Sequence, residues 1–317
     1  MKVLAVTINY RTPDMTIEAV RSLMPELEGI SSKVIIVDND SQDGSYDKMK
    51  AALEKEDWGD QVLLIDSGHN GGFGYGNNVG VRIGLNSDDP PEYVYLLNSD
   101  AFPDKGAIKT LVDFMDERPE VGITGSYVHD TDGTPHVTAF RFHGIASELE
   151  SNIRFAPVSR LFTESKVAIL PVPEVACEVD WVAGASMLMR KTMLDEVGLF
   201  DESYFLYFEE TDLCLRAKRL GWPTWFVPQA SVGHIGSATT GAYSLDKRQP
   251  TYWFDSRRYY YEKNFGKVYA NLADASWVAG QVVWKMRMLV ERKAQRDPNF
   301  IMRDFLCHKL GLPRLAD

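Results

Sequence analysis

Apolar positions in the first 125 residues alternate between two rhythms. Residues 2–8 (KVLAVTI) and 33–37 (KVIIV) are short, unbroken, β-branched runs, the pattern of strands buried on both faces of a parallel sheet. Between them Ile17, Val20, Leu23, Met24 and Leu27 recur at the spacing of one helix face, predicting a helix over 16–27. Residues 61–65 (QVLLI) and 93–97 (YVYLL) read as a third and fourth strand, and 107–114 as the start of another helix. This order predicts an α/β fold with a doubly wound, Rossmann-like parallel sheet, which gathers ligands at the carboxyl ends of its strands. Asn9, Asp38, Asn98 and Asp100 all fall at such ends.

Residues 126–178 lose this regularity and scatter Gly, Pro and His, which predicts a loop-rich region covering a site. Regular patterns return at 179–189 (VDWVAGASMLM), in a helix over 212–220 that ends before Gly221, and in a strand over 225–228. After Gly241 the chain reads as helical. Within 271–293, Val278, Val282, Met286, Leu289 and Val290 fall near a helical period. Trp277, Val283 and Trp284 broaden that face, and Gln281, Lys285, Arg292 and Lys293 are partly interleaved. Such a helix can lie in a bilayer interface, with tryptophans at headgroup depth and basic residues reaching anionic lipid. It can equally pack on the catalytic domain or in a homodimer.

Composition adds charge to this picture. The net charge of −11 is unevenly spread: residues 247–317 hold 14 basic and 7 acidic residues, the remainder 20 and 38. The acidic body argues against a nucleic-acid partner, while the basic segment suits an anionic surface. Cys177, Cys214 and Cys307 are few, odd in number and far apart, which suits a reducing compartment and gives neither a disulfide framework nor a zinc site. The first residues lack the pattern of a signal peptide, and no run of about 18 apolar residues occurs. The expected location is the cytoplasm, with peripheral contact at the inner membrane face if 271–293 meets lipid.

Five segments carry candidate chemistry. In VDNDSQDGS, Asp38 can accept the ring N–H of a uracil or thymine, or form an Asx-turn. HNGGFGYGNN at 69–78 can bring backbone N–H groups to a phosphate, or make a tight turn; it is neither a Walker A loop nor a dinucleotide fingerprint. In LLNSDAFPD, Asp100 can bind a hard divalent cation, or cap the next helix. FEETDLCLR sets Glu209, Glu210 and Asp212 at a helix start beside an aromatic run. The acids can serve as a general base of raised pKa, or complement the helix dipole with Asp212 paired to Arg216. His234 can complete a metal site begun by Asp100, or be an ordinary loop histidine.

Taken together and in order, VTINYRTPD, IIVDNDSQDGS, HNGGFGYGNNVG, YLLNSD, VDWVAGASMLM, FLYFEETDLCLRAKRLGW and GHIGSAT resemble family 2 glycosyltransferases, nearest the bacterial rhamnosyltransferase-like branch, over residues 1–265. The resemblance implies a GT-A fold, an inverting mechanism, a Mg²⁺ or Mn²⁺ cofactor, a nucleotide-diphosphate sugar donor and a glycan or lipid-linked acceptor. By motif match, Asn9, Asp38, Asn70, Gly72, Asn98 and Asp100 belong to the donor site, and Asp100 and His234 to the metal. Glu210 is the base with Glu209 as its alternate, and Trp181, Gly184 and Asp212 lie on the acceptor side. The metal motif is Asn-Ser-Asp rather than Asp-x-Asp, and the base is Glu where many relatives have Asp. The expected division is a catalytic domain over 1–240, with a nucleotide-sugar half to 125 and a metal and acceptor half after it, then a helical basic extension over 241–317. A nucleotidyltransferase of related fold would carry a glycine-rich G-x-G-T-R start after the first strand, which is absent. A non-catalytic nucleotide-sugar binder would lack the acidic cluster, which is present.

Overall fold

The computed structural model describes residues 1–235 and 247–314. The expected boundary at 240/241 therefore lies outside the described residues. In chain order the elements are β1 (Val3–Asn9), α1 (Pro13–Leu23), β2 (Ser32–Asp38), α2 (Ser45–Leu53), β3 (Val62–Asp66), α3 (Gly72–Leu85), β4 (Tyr93–Leu97), β5 (Ala101–Pro103) and α4 (Ala107–Glu117). Then follow β6 (Ile123–His129), β7 (Pro135–His136), β8 (Ala139–Phe140), α5 (Ile145–Ile153), α6 (Ala156–Leu161), β9 (Cys177–Val179), β10 (Trp181–Val182), β11 (Ser186–Arg190), α7 (Lys191–Val197), α8 (Glu209–Arg219), β12 (Thr224–His234), α9 (Thr251–Phe265), α10 (Lys267–Glu291) and α11 (Ile301–Lys309). They form two compact units. The first holds Met1–Phe140, Ala168–Phe205 and Glu209–Thr239; the second holds Arg141–Val167, Leu206–Phe208 and Thr240–Asp317.

The first unit is built on a ten-stranded sheet with the path β3-β2-β1-β4-β11-β6-β12-β5. The apolar runs that predicted four parallel strands do pair in parallel, β2 and β4 on either side of β1. Strand order reverses at β1, and the crevice at that switch point opens at the carboxyl ends of the strands. The far half of the sheet is mixed, because β11 runs antiparallel to both β4 and β6. Strand β12 is longer than its sequence pattern suggested. Its register on β6 shifts between Val227 and Ser231, across Pro228, which has no N–H to give the ladder; pairing then resumes to His234. His234 is thus the last residue of a strand, opposite Ala101, rather than a loop residue.

Helix α1 begins with Pro13 at its first position and buries Ile17, Ala19, Val20 and Leu23 against the sheet core. Helix α3 starts earlier than the glycine-rich pattern implied, at Gly72, so most of those glycines are inside a helix. Added Cβ atoms on Gly80 and Gly84 would stand 2.7 Å from Val6 and 2.3 Å from Leu4, so α3 lies unusually close to β1.

In the second unit, residues expected to be loop form α5 and α6. Helix α5 escaped the hydrophobic pattern because its buried face is polar, with Ser147, Glu148 and Asn152 beside Ile153. Arg257 of α9, almost fully buried, donates to Glu148 (3.0 Å) and Asp274 (2.6 Å), and Tyr261 donates to Glu148 (2.6 Å). No helix among the described residues is long and apolar enough to cross a membrane.

The tryptophans of 271–293 do not lie at a lipid surface. Trp277 is 3% and Trp284 2% exposed, and Trp277 stacks on Phe305 at 4.2 Å within a core completed by Phe254 and Ile301. Of the two readings open to this segment, the burial of both rings fits the packed helix, and Trp277 belongs to the core of the helical unit. Trp277→Ala should therefore destabilise the protein by about 3–5 kcal/mol. Denaturant unfolding checks this, and the loss should be the same with and without lipid vesicles.

Candidate active site

The carboxyl end of β2 carries an interlocked polar cradle. Asp38, 3% exposed, accepts at Oδ1 from Asn9 Nδ2 and Ser41 Oγ, both at 2.6 Å. Its Oδ2 accepts only a long bond, 3.3 Å, from the Ser41 N–H. Asn9 is fixed in turn by Thr16 Oγ1 (2.9 Å) and the Thr12 N–H (3.1 Å) on its Oδ1. Asn9 is thus buried as the holder of Asp38. The next residue, Asn39, was not singled out from sequence. Its Nδ2 donates to Asn70 Oδ1 and to the Gly72 carbonyl, both at 3.1 Å. Asn70 Oδ1 also accepts the Gly72 N–H at 3.0 Å. These bonds tie the Asp38 turn to the start of α3.

Gly72 is irreplaceable there. It has φ +89°, and a Cβ on it would stand 1.8 Å from the Phe205 carbonyl oxygen. That oxygen accepts the Phe73 N–H at 2.9 Å.

At the end of β4, Asp100 is buried and Asn98 half-buried. The Asn98 N–H donates to the Ala185 carbonyl at 3.0 Å, and the Ile235 N–H to the Asp100 carbonyl at 3.0 Å. Asp100 Oδ1 and His234 Nε2 are 3.0 Å apart, yet that nitrogen has no hydrogen-bond partner. An imidazole nitrogen and a carboxylate oxygen at this separation fit adjacent ligands of an octahedral cation, whose bonds of about 2.1 Å set neighbours about 3 Å apart. Among the described residues no cluster of three or more His, Cys, Asp or Glu could hold a metal. The remaining ligands of such an ion would be water and diphosphate, the usual arrangement for Mg²⁺. The His136 ring stands 6.0 Å from that of His234, a neighbour that no sequence motif indicated.

The turn before β11 reaches the candidate base at the start of α8. Gly184 donates its N–H to Glu210 Oε1 at 3.2 Å. Burial of the Glu210 carboxyl pushes its pKa above the usual glutamate value, against its own backbone N–H and that of Gly184, which pull it down. Glu209 is 1% exposed while Glu210 keeps open surface, so Glu210 is the member of the pair that can meet a substrate. Since Asn98 binds Ala185 and Gly184 binds Glu210, one turn joins the β4 end to the carboxylate.

The remaining residues expected on the acceptor side sit as follows. Asp212 is fully buried, accepting from Tyr204 Oη (3.2 Å) and Arg216 Nε (2.8 Å). Arg216 also donates to the Val197 and Leu199 carbonyls, each at 2.7 Å. Asp212 therefore orients Arg216, which braces the chain before α8. Trp181 is half-buried and stacks on Phe140 at 4.1 Å.

Residues 2–256 match the family model described as glycosyltransferase like family 2. The chain belongs to glycosyltransferase family 2. This transferase is 28% identical, over 219 residues, to the N-acetylglucosaminyl-diphospho-decaprenol L-rhamnosyltransferase of Mycobacterium tuberculosis, covering 66% of its own length and 68% of that relative. It is 28% identical over 161 residues to the rhamnosyltransferase WbbL of Escherichia coli, covering 50% of its own length and 58% of that protein. Among solved structures, the mannosyltransferase PcManGT of Pyrobaculum calidifontis, in complex with GDP-Man and Mn²⁺, superposes with TM-score 0.59 at 13% identity. That match covers 98% of this chain and 79% of the other, and the shared fold is GT-A.

A base of raised pKa works only when ionised, so the glycosyltransferase should gain activity as pH rises through a value above 4.5, the ordinary value for this group. A pH profile of kcat/KM for release of nucleoside diphosphate checks this. Glu210→Gln should lose most of the activity at every pH while still binding the nucleoside diphosphate in calorimetry.

Proposed function

We propose that the protein is an inverting transferase acting in cell-surface polysaccharide synthesis. It moves rhamnose from dTDP-rhamnose, or failing that a sugar from a UDP donor, to a hydroxyl of a glycan or lipid-linked glycan. The observation that carries this reading is the Glu210 carboxyl, desolvated and hydrogen-bonded to Gly184, on a turn that also binds Asn98 at the β4 end. The names of the two rhamnosyltransferase relatives support the choice of sugar, and the first supports a lipid-diphosphate acceptor.

In this reading Glu210 takes the proton of an acceptor hydroxyl as its oxygen attacks the anomeric carbon. The new C–O bond forms on the face opposite the breaking bond to the nucleoside diphosphate, so configuration inverts. General-base help of this kind is typically worth ~10²–10⁴ in rate. Asp38 Oδ2, which carries only its long bond to Ser41, accepts the N3–H that thymine and uracil share. Asp100 and His234 would hold Mg²⁺ or Mn²⁺, which when bound would neutralise charge on the departing diphosphate.

Incubation with a panel of nucleotide sugars tests the reading. Release of dTDP from dTDP-rhamnose, stopped by excess EDTA and restored by Mn²⁺ or Mg²⁺, is the expected result. Full activity in EDTA overturns the metal assignment, and turnover of GDP-sugars alone overturns the pyrimidine donor.

A lipid-linked acceptor also gives the helical unit a surface to meet. With the tryptophans buried, the lipid contact falls on the exposed end of α10. There Met286, Leu289 and Val290, the last two 83% exposed, lie among exposed Lys285, Arg292 and Lys293. Lys293 pairs with Glu291, which leaves Lys285 and Arg292 beside these apolar residues to meet an anionic bilayer, each cation near such a surface being worth roughly 1 kcal/mol. The protein should pellet with phosphatidylglycerol vesicles, less so in high salt, and Leu289→Glu with Val290→Glu should abolish pelleting without lowering thermal stability. Intact protein that stays in the supernatant overturns this contact.

A further inference from the structure

The space beside Glu210 is closed by a side chain that no motif singled out. A Cβ built on Gly184 would stand 2.8 Å from Glu210 Oε1 and also 2.8 Å from Phe73 Cζ. The carboxylate and the ring edge therefore face one another across a backbone that has no side chain. The ring is firmly mounted. The Phe73 N–H donates to the Phe205 carbonyl at 2.9 Å, and Asn77 Nδ2 donates to the Phe73 carbonyl at 3.1 Å. The ring meets that of Phe200 edge-on at 6.0 Å. Phe200 is clamped by the fully buried Asn78, which donates to its carbonyl (2.9 Å) and accepts its N–H (3.1 Å). An aromatic ring mounted this firmly across the Gly184 backbone from the carboxylate leaves little room for water on that flank.

We infer that Phe73 is the positioning residue that walls Glu210 from solvent, so that the base serves an acceptor hydroxyl and does not activate water against the donor. The inference rests on the transferase reading above. A carboxylate strong enough to deprotonate a sugar hydroxyl can also deprotonate water, and the two nucleophiles differ mainly in how they reach it. With no acceptor bound, an open flank admits water to attack the anomeric carbon. The water oxygen bonds to that carbon, its proton passes to Glu210, and the sugar leaves the diphosphate as free sugar. An apolar ring excludes this route by exclusion of the nucleophile, and the same ring desolvates the carboxyl.

The other groups near Glu210 are accounted for. Its own helix contributes Glu209, the Cys214 thiol, which burial pushes up to about 12, and Asp212, which is paired with Arg216. Asp180, beside β10, is paired with Lys218 at 2.6 Å. Residues 183–185 and 72–74 contribute no titratable side chain.

The experiment compares wild type, Phe73→Ala and Phe73→Leu in the full chain with dTDP-rhamnose and no acceptor. Phe73→Ala should hydrolyse the donor about tenfold faster than wild type, equivalent to ~1.4 kcal/mol of lost protection. The acid limb of its pH profile should move down toward 4.5, the ordinary value for the group. Phe73→Leu, which keeps an apolar wall of shorter reach, should fall between the two, and dTDP affinity by calorimetry should be unchanged in all three. If Phe73→Ala does not fold, Phe73→Leu carries the same two readouts. Gly184→Ala, whose methyl would press on both partners, should lower kcat and leave donor KM unchanged. Variants that fold and bind dTDP while hydrolysis rate and acid limb stay at wild-type values overturn the role of Phe73 alone. Wild type that releases nothing from any nucleotide sugar even when a lipid-linked glycan acceptor is supplied overturns the transferase reading, and this role with it.

Discussion

A methyl group has no room at position 184, and much of the first unit is arranged around that fact. The Gly184 N–H holds the Glu210 carboxylate from one side while the Phe73 ring stands on the other. Three remote segments, the start of α3, the turn before β11 and the first turn of α8, meet at this one backbone position. The neighbouring Ala185 carbonyl binds the Asn98 N–H, so the same turn fixes the residue that leads to Asp100. Moving the turn would move both the Glu210 carboxylate and the end of β4. The largely buried carboxyl is thermodynamically costly to ionise, and that cost persists because the Gly184 turn and the start of α8 fix the group in place.

The second constraint is polar saturation at the strand ends. Asn9, Asp38, Ser41, Asn39 and Asn70 satisfy one another and nearby backbone groups across β1, β2 and α3. Buried amides and carboxylates without partners would each cost about 1–3 kcal/mol. Asp38 Oδ2 keeps a single weak bond. A cradle in which one acceptor remains under-used can take one donor from outside, and the proposed pyrimidine N3–H is such a donor.

In the helical unit the basic excess is partly spent inside the protein. Arg248 pairs with Asp304, Arg257 with Glu148 and Asp274, and Lys309 with Asp274. Taking Arg257 out of water is costly, and the geometry repays it only with both carboxylates in place. Its pKa is held up by them against the burial that would lower it. The charge left to meet an outside surface is therefore smaller than the composition of 247–317 implies; near the end of α10 it includes exposed Lys285 and Arg292, while Lys293 is paired with Glu291 at 2.7 Å.

Apolar periodicity was enough to place the four parallel strands, α1 and the chemistry at the strand ends, because burial on a sheet leaves its mark on consecutive residues. The acidic start of α8 and the glycines of α3 were also legible, as local patterns of charge and of missing side chains. The polar face of α5 was not, since Glu148 and Asn152 are buried only because Arg257, Tyr261 and Gln281 come from far along the chain to satisfy them. Nor could sequence separate the two roles open to Asp212, which the contacts of Tyr204 and Arg216 assign to bracing. The inward turn of Trp277 and Trp284 was hidden for a related reason: an amphipathic helix carries its apolar stripe whether lipid or protein covers it. The sequence by itself determined which residues could do the chemistry and which faces had to be buried, because both follow from side-chain type and spacing. Which partner each one meets, with Phe73 against Glu210 as the sharpest case, only the tertiary structure decided, because contacts between positions more than a hundred residues apart leave no periodic trace in the chain.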